Sequence, residues 1–494
     1  MSMSRRNFLE SGGAASALLT LASACAREDQ RTSNDLAALD AVETAARIKK
    51  GELSAAEAIA AAIERAERID RKINAIAFKT FDSAREAVGK TSGPWAGVPT
   101  FVKDLDDVTG VASGFGSRAF PGYKGKEQTP LIDAFLGLGV ISLGKSTTPE
   151  FGLTATTEPL STGVTRNPWN LDHSAGGSSG GAAALVASGV VPVAHASDGG
   201  GSIRIPAACC GNVGLKVSRG RHPKARPETA GPFTISVHGV QSRTVRDTAA
   251  AIAAMEVPAA ESGLAEVGLV TGANARRLRI CLASQGPYGR PVDPEIVEAT
   301  RAVARTCEGL GHSVEEISIP FAPGAEEAFM LYWAKNAWIA ISRWEEVTRL
   351  KRNGLAFEPF TLGLVEHFEA HQDEFDAAVA RLLALTPEFD AMMAPYDVYL
   401  SPVIASPPAP VGHLGPELSY EEHLRRVLDY AQFTGYFNII GAPAISLPLS
   451  MSKSGLPIGA LFGARVGDEK TLLELAYELE ESAPWSSRRP AIFG

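Results

Sequence analysis

Two clusters of glycine and serine carry the residues best suited to chemistry in this 494-residue chain. The first is Gly176-Gly177-Ser178-Ser179-Gly180-Gly181 and the second is Gly199-Gly200-Gly201-Ser202. Glycine lets a backbone turn tightly and lets another molecule approach its N–H groups. A serine that closes such a run has oxyanion donors beside its hydroxyl, so Ser202 reads as a nucleophile toward a carbonyl. That hydroxyl needs a base. His195 precedes the second cluster, but a lone histidine beside a glycine-rich loop more often orders backbone, and that reading is favoured. A lysine can serve if it is neutral. Its ordinary pKa of about 10.4 must then fall by roughly 3 units, or about 4 kcal/mol. Burial acts in that direction, because desolvation disfavours the ammonium form. Lys103 ends the apolar run Val98-Pro99-Thr100-Phe101-Val102 and is the best-placed candidate. Spacing alone leaves a surface lysine paired with Asp104 equally open.

Other motif matches fail on context. Residues 139–146, GVISLGKS, fit the Walker A pattern, but the residues between the glycines are apolar and read as the strand itself. Residues 176–180 fit G-x-S-x-G, yet that motif follows a strand, and the preceding NPWNLD reads as loop. No group among the nine histidines reads as a metal-ligand cluster, and no pair among the five cysteines has zinc-ligand spacing. Cys209 and Cys210 read as buried small apolar residues.

The acidic excess, 56 Asp and Glu against 47 Lys and Arg, gives a net charge of −9 and disfavours a nucleic-acid partner. At the amino terminus, Arg5-Arg6-Asn7-Phe8-Leu9 precedes a weakly apolar stretch too short to span a membrane. This resembles a twin-arginine signal over residues 1–26, with cleavage near Cys25. Ala22-Ser23-Ala24-Cys25 also resembles a lipoprotein box, with Ala22 where leucine is usual. The mature chain is expected folded in the periplasm or outside the cell, held to a membrane only if Cys25 is lipidated.

The elements that must position these residues alternate. Residues 40–50 predict a helix ended by Gly51. Ser54 and Glu57 form a capping box for a second helix. Strand-like apolar runs occur at 97–103, 138–143, 211–215, 278–282 and 444–449, and residues 470–480 predict a helix. Residues 322–385 read as a mostly helical insertion whose aromatics Phe329, Tyr332, Trp333, Trp338 and Trp344 are mainly core, some of them free to line a pocket. Alternation of this kind predicts one large α/β domain over residues 27–494, with a central mixed sheet covered by helices on both faces.

The residues Gly97-Val98-Pro99 through Lys103-Asp104, the cluster 176–181, and Asp198-Gly199-Gly200-Gly201-Ser202-Ile203-Arg204-Ile205-Pro206-Ala207 together resemble the amidase signature family. The resemblance implies that Ser202 is the nucleophile, Ser178 a bridging serine after a cis Gly177–Ser178 peptide, and Lys103 the base. It implies an oxyanion hole from Gly199, Gly200, Gly201 and Ser202, with Asp198 and Arg204 bracing the loop. Gly199 stands where many members carry a larger residue, which predicts a looser loop or extra room beside it. No metal or organic cofactor is expected. The implied partners are a small amide and, during export, the twin-arginine translocase; a homodimer is compatible with the family. Thr156-Thr157-Glu158-Pro159, residues 165–170 and Val193-Ala194-His195 are nearest the 6-aminohexanoate-cyclic-dimer hydrolase branch. Two other readings are an amidotransferase glutaminase subunit, disfavoured by the export signal and acidic charge, and a non-catalytic binding protein, disfavoured by intact Lys103, Ser178 and Ser202.

Overall fold

The computed structural model describes residues 35–225, 231–286, 288–319 and 323–494. The segment 1–26 expected to be a signal, with Cys25 in it, lies outside the described residues.

The first helices form as their caps dictate. The helix Ala41–Lys50 is capped by the Asp40 carboxylate and ends at Gly51 in the left-handed region. Ser54 and Glu57 make the reciprocal capping box of the helix Ala55–Ile73, whose Ile59, Ala62, Ile63, Ala66 and Ile69 are buried.

The strands, in chain order, are β1 (Ile76–Lys79), β2 (Pro99–Lys103), β3 (Ile141–Ser146), β4 (Arg166–Asn167), β5 (Asn170–Ser174), β6 (Val193–Asp198), β7 (Val213–Lys216), β8 (Val237–Ser242), β9 (Arg279–Leu282), β10 (Ser313–Glu316), β11 (Val398–Pro402), β12 (Ala444–Met451) and β13 (Pro457–Gly463). Eight of them build a sheet in the order β10-β9-β11-β13-β12-β7-β8-β6. It is mixed: β9 pairs parallel with β10 and β11, and the remaining neighbours pair antiparallel.

Alternation within the strands loads both faces. Ala444 and Leu461 join one core, with residues of the helices Gly180–Ala187, Arg204–Cys210 and Ala325–Thr348. Ile445 and Phe462, the next residues along, join the other, with the helices Val245–Met255, Pro294–Gly309 and Glu469–Ser482. A sheet covered on both faces reads as continuous apolar strands, which is why 444–449 was legible.

A second sheet, β1-β3-β2, lies against the β6 edge. No ladder joins β2 to β6. The Thr100 hydroxyl donates to Val193 O at 2.9 Å, and the Lys103 N–H donates to His195 Nδ1 at 3.3 Å. Residues 141–146 are strand, as the rejection of a phosphate loop required. The segment before the first serine cluster departs from its loop reading: β4 and β5 form a small antiparallel hairpin there. The helical insertion runs past Leu385, through Ala325–Thr348, Pro359–Ala370 and Phe375–Met392.

Candidate active site

Lys103 is the last residue of β2 and is fully buried. Its Nζ lies 2.7 Å from Ser178 Oγ, 3.0 Å from Ser197 Oγ and 3.4 Å from Ser197 O. Asp104 does not pair with it. The Asp104 carboxylate accepts from the Gly114 N–H at 3.1 Å and faces Lys145 Nζ at 3.8 Å. Burial pushes the Asp104 carboxyl up to about 6, against the pull of Lys145, and pushes the Lys145 amine down. The surface-lysine alternative for Lys103 therefore does not hold.

His195 is scaffold. Its Nδ1 takes the Lys103 N–H, and its Nε2 lies 3.2 Å from His238 Nδ1. Burial drives its pKa down to about 3, so the ring is neutral across the physiological range. Stability held by this neutral ring is present above the unfolded value of about 6.5 and is lost as pH falls toward 3.

The Gly177–Ser178 peptide is cis. Ser178 is buried, and a side chain at Gly152 would come within 3.0 Å of its Oγ. The two serine clusters are joined by the Ser179 N–H donating to Ser202 O at 3.3 Å. Glycines do a second job here. A Cβ at Gly180 or Gly181 would fall 2.4 Å from Thr157 or Thr147, so the helix Gly180–Ala187 can pack only without side chains at its start.

The second cluster is held by a buried ionic knot. The Asp198 carboxylate accepts from Arg204 Nε and Nη2 (both 2.9 Å), Asn438 Nδ2 (2.9 Å), and the N–H groups of Gly201 (2.7 Å) and Ile203 (3.1 Å). Burial alone would raise this carboxyl. Arg204 and Asn438 outweigh it and hold Asp198 well below the usual carboxylate range. Arg204 also donates to Thr434 O and Asn438 Oδ1, and the Thr434 hydroxyl donates to Gly200 O. Gly201 has φ 134°, and a Cβ there would fall 2.2 Å from Thr434 Oγ1. Its N–H is committed to Asp198. The N–H groups of Gly199, Gly200 and Ser202 have no acceptor among the described residues.

Replacing Asp198 by asparagine keeps the shape but strands the Arg204 guanidinium. A loss of about 3–5 kcal/mol is expected, read by urea unfolding.

Ser202 and Gly200 lie on the wall of a cavity that opens to solvent. Its other walls are chiefly apolar: Leu153, Ile205, Phe329, Met330, Trp333 and Phe360. Of the aromatic segment, Phe329 and Trp333 reach the cavity, whereas Tyr332 and Trp344 are buried in the helical core. The room predicted beside Gly199 is taken: a Cβ there would meet the Trp333 ring at 3.2 Å.

Phe360 sits at the start of a helix whose preceding residue, Glu358, is buried. Burial and the neighbouring Glu150 push the Glu358 carboxyl up to about 8. The folded chain thus holds a proton that the unfolded chain releases near pH 4, so stability falls as pH rises from about 4 to about 8. Glu358→Gln should raise Tm at pH 8, with the gain vanishing toward pH 4; a thermal scan across pH reads it.

Three contributors were missed in the sequence. Ser197 touches the Lys103 amine, and Thr434 and Asn438 tie down the glycine loop from a helix more than 200 residues away in the chain. No local pattern marks them.

The match to a family model described as Amidase covers residues 57–473. The chain belongs to the Amidase family. It is an enzyme of the amidase class, a hydrolase of carboxylic amides. A Mycobacterium tuberculosis (strain ATCC 25618 / H37Rv) protein named as an amidase, AmiC, is 42% identical over 457 residues, covering 91% of this chain and 95% of its own. The 6-aminohexanoate-cyclic-dimer hydrolase of Paenarthrobacter ureafaciens is 34% identical over 485 residues, covering 92% and 96%. A solved structure of 6-aminohexanoate cyclic dimer hydrolase complexed with substrate superposes with a TM-score of 0.84 at 30% identity, covering 93% of this chain and all of that one. The amidase fold is thus one α/β domain with its large mixed sheet between helical layers.

Proposed function

We propose that this amidase is exported through its twin-arginine signal and cleaves a small, largely apolar amide through an acyl-enzyme on Ser202. The observation that carries the reading is the 2.7 Å contact between the buried Lys103 amine and Ser178 Oγ, behind the cavity wall that bears Ser202.

In the proposed sequence the neutral Lys103 amine takes the proton of Ser178 as Ser178 takes that of Ser202. Ser202 Oγ adds to the substrate carbonyl carbon. The N–H groups of Gly199, Gly200 and Ser202 receive the oxyanion; Gly201 instead keeps the loop tied to Asp198. Each well-placed donor contributes about 3–4 kcal/mol to such a step. The carbon–nitrogen bond breaks, and the relay passes a proton to the leaving nitrogen. Water then adds to the ester carbonyl, giving up its proton to the same relay, and Ser202 leaves with its hydroxyl restored. Complete burial of Lys103 favours the uncharged amine that this sequence needs.

The apolar walls support an uncharged substrate. Trp333→Ala removes the largest of them and should lower kcat/KM for an aryl amide by about 10- to 100-fold, mostly through KM. Turnover of a panel of aryl, aliphatic, peptide and lactam amides tests the proposed class. Exclusive turnover of charged or glutamine-type amides would overturn it. N-terminal sequencing of protein recovered from the periplasm or medium tests export. A retained, uncleaved leader would count against it.

A further inference from the structure

We infer that the protein docks on an anionic lipid surface through a basic, apolar tip formed by two adjacent loops. One loop follows the helix Ala325–Thr348, and the other spans residues 118–126. They touch: Arg118 Nη2 donates to Gly354 O at 2.9 Å, and Trp344 Nε1 donates to Ala119 O at 2.9 Å. Beneath them Phe115, Phe120, Phe151, Phe357 and Trp344 form a chain of ring contacts that fixes both loops to the body.

What the loops present outward is unusual for this chain. Leu355 is 85% exposed and Leu350 58%, Val347 in the last turn of the preceding helix is 73% exposed, and the exposed Tyr123 stands on the other loop. Residues 347–357 hold Arg349, Lys351 and Arg352; residues 118–126 hold Arg118, Lys124 and Lys126. Neither segment contains an acidic residue, although Glu127, Glu346 and Glu358 adjoin their ends and the whole chain carries a net charge of −9. Among the described residues only Arg352 of these six is in an ion pair, with Glu369. Aliphatic side chains that protrude singly between cations, five of the six outside any ion pair, match an interface where tails enter the acyl boundary and cations meet lipid phosphates. No helix of the described residues is long and apolar enough to cross a membrane, so the contact proposed is peripheral. It is separate from the reaction and from any lipid on Cys25.

The full chain should sediment with vesicles of equal phosphatidylglycerol and phosphatidylcholine, and more weakly with phosphatidylcholine alone. Arg349→Glu with Lys351→Glu should reduce the partition coefficient about tenfold or more, and salt at 0.5 M should do the same. Because residues 1–34 are present in every variant, their contribution cancels. Leu355→Trp adds a local reporter: its difference emission should shift to the blue on the anionic vesicles. Unchanged turnover of a small soluble amide shows that the variants are folded. Partition equal to wild type in the charge-reversed protein, or a difference emission that does not move, would overturn the inference. A concentration-dependent dimer abolished by Leu350→Glu, without vesicle binding, would overturn it in favour of a second copy of the chain.

Discussion

Ser202→Ala should leave a folded protein with at least a 10⁴-fold loss of kcat/KM on every amide turned over by the wild type. The magnitude follows from losing the atom that forms the acyl bond; when a serine nucleophile is removed, only binding and oxyanion stabilisation remain. Folding should survive because the Ser202 backbone, not its hydroxyl, carries the structural bonds: Ser202 O accepts from Ser179 N–H. The Asp198–Arg204 knot beside it is untouched. Substrate affinity should therefore change little, and equilibrium binding to the inactive variant, read by calorimetry, checks this. A variant that kept more than about a hundredth of wild-type turnover would show that another group attacks the carbonyl.

Lys103→Met should lose about 10³-fold or more in kcat, within the range of general-base catalysis combined with a broken relay. Methionine keeps most of the buried stem, so the substitution isolates the amine. In the wild type, kcat/KM should rise with pH as the amine deprotonates. In the variant that limb should disappear, leaving a low, flat profile. A purely structural lysine would lower the folded fraction without changing the shape of the profile, so the pH dependence separates the two roles. The loss of the amine also leaves the Ser178 and Ser197 hydroxyls without a partner they now share. A drop of about 1–3 kcal/mol in unfolding free energy is expected alongside, read by urea titration.

Much of the site could be read from the chain because its parts are local. The glycine runs announce close backbone approach, and Lys103 ends an apolar run that the fold makes a buried strand. The loop-bracing pair Asp198 and Arg204 lies only six residues apart and closes through a bidentate contact. The same holds for the caps at Asp40 and Ser54. What escaped depends on long-range packing. Thr434 and Asn438 meet the loop only because the helix Gly435–Ile440 packs on the same sheet face. The identity of Lys103's other neighbour, Ser197, follows from β2 lying beside β6 without a ladder between them. The room beside Gly199 was misjudged because the filling ring, Trp333, arrives from the helical insertion. The hairpin before Ser178 was missed because β4 and β5 are short and polar, and lack the alternation that marks a strand.

The central claim is that Ser202 becomes acylated. Quenching the enzyme during turnover of a slowly deacylating aryl amide, then mapping the adduct by peptide mass spectrometry, tests it most directly. The acyl mass should fall on Ser202 alone, and Lys103→Met should slow its appearance. An acyl group on Ser178, Ser179 or a cysteine, or full turnover with no covalent adduct under conditions that trap one, would contradict the account.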